Sequence, residues 1–124
     1  MTLANNTGLY LTADRARKTS FDVQVGEADG DDVTIATGDK VRVKIGRGKA
    51  TPLLEFSSSN AAASGSTCTA ANPTVITFEA GDMTMKAGIY DIEVVIIDAS
   101  ESSAPKKCEM GVIVIAESMG GVVT

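Results

Sequence analysis

Apolar and polar side chains alternate most sharply between residues 39 and 45. Val41, Val43 and Ile45 share one side, and Lys40, Arg42 and Lys44 share the other. A period of two marks a strand with one buried face. A slip of one residue would turn three cations inward, so the register of this strand is expected to be firm. The glycine-rich run Gly46-Arg47-Gly48-Lys49 reads as a tight connection, and residues 52–56 begin the partner strand. The same rhythm places Phe21, Val23 and Val25 together in residues 18–25. It sets Thr74, Ile76 and Phe78 against Val75, Thr77 and Glu79 in residues 73–79. Two further segments are apolar on both sides. In residues 89–98, Tyr90, Ile92, Val94 and Ile96 form one face. The other starts with Asp91 and Glu93 and ends with Val95 and Ile97. In residues 107–117, Cys108, Met110, Val112 and Val114 lie opposite Ile113 and Ile115. A strand of this kind is covered on both sides or offers one side to a partner.

The connections fit the same picture. Residues 57–71 are rich in Ser, Ala, Thr and Gly and predict a long loop with one short edge strand. Residues 80–87 predict a crossover turn, and residues 99–105 a hairpin loop. At the end of the crossover, Gly88 is followed by Tyr90 and a long β-branched run. In immunoglobulin-like sandwiches a tyrosine at this place ties its hydroxyl to the backbone upstream and forms a structural corner. Gly88 and Tyr90 are assigned that role. The expected fold is all-β: an immunoglobulin-like antiparallel β-sandwich of about seven strands over residues 18–117. A flexible N-terminal arm, residues 1–17, and a C-terminal tail, residues 118–124, flank it. Within the arm, Leu9, Tyr10 and Leu11 form an apolar island, either a short strand or a segment that lies on a neighbour.

Composition sharpens these expectations. A chain of 124 residues has the size of one domain. Aromatics make up 4% with no Trp, so the core rests on aliphatic side chains. The net charge of −5 argues against nucleic acid as a partner, because phosphate contacts need a basic surface. Most of the 11 basic residues nonetheless fall early, at Arg15, Arg17, Lys18, Lys40, Arg42, Lys44, Arg47 and Lys49. They form either a solvated strand face or a surface for an acidic partner. No charged start leads into an apolar run, and the longest apolar run, residues 112–116, is too short to span a bilayer. The expectation is a product of the cytosol with no membrane partner. The two cysteines, Cys68 and Cys108, match no metal spacing; they either pair or, as is usual in the cytosol, stay reduced.

Candidate chemistry is sparse. The chain has no histidine, which removes the commonest general base and any Ser-His or Cys-His pair. Asp91 and Glu93 share a strand face with no apolar pocket implied. The run 46–51 lacks the leading glycine of a phosphate loop, where Val43 stands, and Pro52 argues against a following helix. Glu27, Asp29, Asp31 and Asp32 supply hard oxygens, but their spacing is not that of the twelve-residue calcium loop; an acidic turn is the simpler reading. No catalytic, cofactor-binding or metal-ligating residue is predicted, and the chain is not expected to be an enzyme.

Four segments, in order, resemble a known family: DKVRVKIGR (39–47), TPLLEF (51–56), AGIYDIEVVIID (87–98) and KKCEMGVIVI (106–115). This succession is similar to the immunoglobulin-like structural proteins of tailed-bacteriophage virions, including head-decoration modules and the N-terminal module of baseplate upper proteins. The resemblance implies a non-enzymatic assembly role in the virion and no cofactor. The expected function is capsid decoration, or cementing, with the major capsid protein as partner and self-association, such as a trimer at local threefold axes. A baseplate or tail-adapter module, or a fibre-attachment module, is the alternative. A carbohydrate-binding domain of the virion surface is a third reading, weakened by the lack of Trp. Expected interface residues are Val95, Ile97, Ile113 and Ile115, the cations Lys40, Arg42 and Lys44, and the island Leu9, Tyr10 and Leu11.

Overall fold

In the computed structural model, residues 9–25, 35–48, 50–97 and 105–117 are described, the last group without the side chains of 105–108. The strands are β1 (Leu9–Asp14), β2 (Thr19–Val23), β3 (Lys40–Gly46), β4 (Leu54–Ser57), β5 (Thr67–Cys68), β6 (Thr74–Phe78), β7 (Gly88–Ile97) and β8 (Pro105–Ala116). A single 3₁₀ turn, Ala80–Asp82, interrupts the crossover between β6 and β7. Five strands form one sheet in the order β1-β8-β7-β3-β4, and three form the other in the order β2-β6-β5. Every pair is antiparallel except β1 with β8. Lettered from β2 onward as B, C, C′, D, E, F and G, the strands give B-E-D facing G-F-C-C′. That is the immunoglobulin arrangement, with β1 added beside G.

The alternation in the sequence decides which side of each strand is dry. Val41, Val43 and Ile45 of β3 are fully buried and pair across to Ile96, Val94 and Ile92 of β7. From the small sheet, Val23, Ile76, Phe78 and Cys68 join the same core cluster. Phe78 joins the layers, meeting Phe56 of β4 edge-on at 5.7 Å and Phe21 of β2 at 6.0 Å. Such ring pairs add to the area they bury. The Cys68 thiol crosses between sheets and donates to the Val41 carbonyl oxygen at 3.3 Å. Cys68 is therefore a buried free thiol, and the disulfide considered from the sequence is not formed. Ile92, two residues after Tyr90, occupies the place where antibody domains carry the second cysteine of their inter-sheet disulfide.

Side chains also stand in for missing ladder bonds. Asn72 meets Val25 at two points, its Oδ1 accepting from Val25 N at 2.9 Å and its Nδ2 donating to Val25 O at 2.8 Å. This extends the edge of the small sheet past Val23.

The island Leu9-Tyr10-Leu11 proves to be part of a strand. β1 runs parallel to β8 from Leu9↔Gly111 to Asp14↔Ala116. Residues 1–8 and 118–124 lie outside the described residues. Gly111 makes the docking of β1 feasible, because a Cβ at this position would fall on the backbone of Leu9. Gly111→Ala should lever the start of β1 off β8 and cost about 1–3 kcal/mol, the usual range for overpacking. Urea unfolding and hydrogen exchange at residues 9–11 would measure it; unchanged stability and exchange would contradict so close a fit.

Candidate functional site

The candidate site is the outer face of the five-stranded sheet, the side turned away from the small sheet. Register builds it row by row. Glu55, Lys44, Glu93 and Met110 lie in one row; Ser57, Arg42 and Val95 lie in the next. Toward the other end, Asp91, Val112 and Tyr10 line up, followed by Ile89, Val114 and Thr12. The β3–β4 half of the face is thus charged and the β8–β1 half apolar.

On the charged half, Arg42 and Lys44 converge on the Glu55 carboxylate, at 4.0 and 3.9 Å, and Lys40 is exposed at the end of the strand. These cations form a partly neutralised strand face. The Arg42 Nε is buried without a hydrogen-bond partner. On the apolar half, Tyr10 and Met110 are 71% and 60% exposed, and Ile89 of the central strand β7, at its border, is 64% exposed. Large apolar side chains clustered on one face mark contact surfaces, whereas scattered ones do not.

Several expected interface residues lie elsewhere. Ile113 and Ile115 point inward beside Tyr90 and Gly88 and are 0% and 1% exposed; they are core, because the small sheet covers that side of β8. Val95 does lie on the outer face but is buried, and Ile97 beside it is half-buried. Leu9 and Leu11 face inward and are half-buried against the core. The sequence reading missed Ile89 and Met110. The signal was present: if Tyr90 and Ile113 face inward, Ile89 and Met110 must face outward.

A groove of about 680 Å³ runs between the β3–β4 connection and β7, lined in part by Lys44, Gly48, Pro52, Asp91, Glu93 and Met110. Asp91 fixes its wall by accepting a hydrogen bond from Gly48 N at 2.7 Å. That carboxylate anchors a turn. Elsewhere, burial pushes the Cys68 thiol up to about 11, against a weaker opposing effect of its hydrogen bond with Thr74. It stays protonated at neutral pH and is a poor nucleophile. Among the described residues, no group of three or more metal-ligating side chains exists and no helix is long and apolar enough to cross a membrane. The acidic turn at 26–32 lies outside the described residues.

Two polar anchors hold the crossover that delivers β7 to this face. The Tyr90 hydroxyl donates to the Lys86 carbonyl oxygen at 2.6 Å, and the Arg47 guanidinium stacks 4.4 Å from the Tyr90 ring centre. The ring is buried, so a lost partner there leaves a carbonyl short of a bond. Before it, Asp82 accepts from Ser64 N at 2.7 Å and from Ser66 N at 2.9 Å. Burial alone would push this carboxyl up. The Ser66 and Ser64 hydrogen bonds outweigh it and hold the carboxyl below its ordinary value.

Tyr90→Phe should lower the unfolding free energy by about 1–3 kcal/mol. Equal urea midpoints for the two proteins would remove the hydroxyl as an anchor. Asp82→Asn turns one accepting oxygen into an amide that faces a backbone N–H, at a cost of about 1–3 kcal/mol near neutral pH. Because folding depresses the Asp82 pKa, its stabilisation is complete above the ordinary carboxyl value of about 3.9. It is lost as pH falls through the lower folded value. The stability gap between parent and variant should therefore close below about pH 4. A gap that is constant from neutral pH to acid would show that the charge of Asp82 contributes nothing. No family model, curated protein or solved structure matches this chain.

Proposed function

We propose that this protein is a non-enzymatic structural module of a tailed-bacteriophage virion, a decoration protein that cements the head shell by binding the major capsid protein. The observation that carries the reading is the exposed apolar part of the outer face, with Tyr10, Met110 and Ile89 on the neighbouring strands β1, β8 and β7 of one sheet. The four segments that resemble phage structural proteins support it further. They correspond to β3, β4, β7 and β8, which lie side by side in the five-stranded sheet. A resemblance spread along the chain thus converges on one continuous surface.

The mechanism is linkage. A module that binds the assembled shell and not its separated subunits stabilises the shell by the free energy of that binding. Such work needs a preorganised surface and no reactive group. The anchored turns suit it, since little ordering entropy remains to be lost on docking. The charged half of the face, where Arg42 and Lys44 share Glu55, would set orientation more than affinity.

Quantitative mass spectrometry of purified virions against the major capsid protein tests this. Hundreds of copies per particle are expected. A few copies to a few tens would move the module to the tail or baseplate, and absence from the particle would end the virion reading.

A further inference from the structure

The four sheet edges are not alike. β5 has two residues. β4 has four, carries the charged Glu55, and is closed at its end by the Ser57↔Asn60 bridge. β2 presents exposed Ser20 and Asp22 and is preceded by exposed Lys18. Short, charged or closed edges resist pairing with other chains. β1 is the exception. Its six residues, LYLTAD, have no Lys, no Pro and no bulge against β8, and their single charge stands last. Among the described residues nothing pairs with its outer side, so alternate backbone N–H and C=O groups face outward.

Two further features lie at the same place. Leu9 and Leu11 of β1 and Phe21 of β2 are apolar core-facing side chains left partly buried, all on this side of the sandwich. On the outer face of the same strand, Tyr10 is 71% exposed. An unprotected edge, an incompletely covered strip of core and an exposed aromatic therefore coincide on one strand.

We infer that the β1 edge is a self-pairing site, where β1 of a second copy of this chain adds antiparallel to form a two-fold dimer with a continuous ten-stranded sheet. The alternation of β1 is self-complementary for this contact. With the two-fold axis at Leu11, Leu11 meets Leu11 of the partner copy, Leu9 meets its Ala13, and Tyr10 meets its Thr12. Core-facing residues oppose core-facing ones, as an antiparallel ladder requires. This register also leaves both Asp14 carboxylates outside the paired core. Shifting the axis to Thr12 would set Asp14 against Tyr10 and leave Leu9 beyond the apolar pairs. The contact is isologous and closes at two copies. It does not rest on the decoration reading, because it is measured on the isolated chain.

The test is sedimentation equilibrium of the full chain from about 1 to about 100 μM, the range in which small interfaces associate. A monomer–dimer equilibrium is expected. Tyr10→Lys combined with Thr12→Lys adds two cations at exposed positions, where folding should be unaffected. It should weaken dimerisation at least about tenfold. Leu53→Lys with Val75→Lys, at exposed apolar positions away from β1, should leave it unchanged. A second measurement fixes the register. In a Cys108→Ser background, a mixture of Tyr10→Cys and Thr12→Cys chains should form a disulfide-linked heterodimer with an added oxidant, and each chain alone should cross-link far less. A monomer throughout the range, a trimer, a dimer indifferent to the β1 lysines, or a mixture that does not cross-link would each overturn the pairing.

Discussion

Everything else in this fold is arranged around the ladder between β3 and β7. Its inner side is dry along Val41, Val43 and Ile45 against Ile96, Val94 and Ile92. Its outer side carries Lys40, Arg42 and Lys44. The two sides are so different that no neighbouring register is tolerable: one step would drive three cations into an aliphatic core, at a cost far above the net stability of a domain this size. With that ladder fixed, β4 can add only on one side and β8 only on the other. The small sheet then covers the single dry face.

The crossover from the small sheet into β7 is secured by polar chemistry. Asp82 gathers the amides of Ser64 and Ser66, and Tyr90 holds the Lys86 carbonyl. Both act where the chain changes sheets and the backbone has no ladder partner. A buried carboxylate or hydroxyl that satisfies loop backbone in this way turns an unpaired segment into a fixed one. The consequence for function is indirect. β7 is delivered in one register, so Ile89, Asp91 and Glu93 take fixed places on the outer face.

That outer face has two characters. Its β3–β4 half is charged and internally compensated through Glu55, while its β8–β1 half leaves large apolar side chains in water. The proposed shell contact and the proposed pairing of β1 use neighbouring parts of the apolar half. A dimer joined through β1 would present two such halves on one continuous sheet and double the surface available for docking. Linked contacts of this kind raise overall affinity without a new type of interaction.

The sequence by itself determined the sides of the strands and the place of the corner. Period-two alternation is a local property of the backbone, so Val23, Val41, Val43 and Ile45 could be assigned to a dry face without knowing what covers them. Gly88 and Tyr90 were legible because the corner is also local, spanning a few residues. Tertiary structure alone decided which face each two-sided strand buries. Ile113 and Ile115 look like interface residues in isolation and are core, because a sheet formed by distant residues packs over them. Val95 carries the opposite alternation and is also covered. The sequence likewise left open whether Leu9-Tyr10-Leu11 forms a strand. A parallel pairing with residues a hundred positions later depends on a close approach at Gly111, and no pattern within the first turns of the chain encodes it. Alternation tells which side chains can be buried together; burial itself depends on what comes to lie opposite, and that is settled only when distant segments meet.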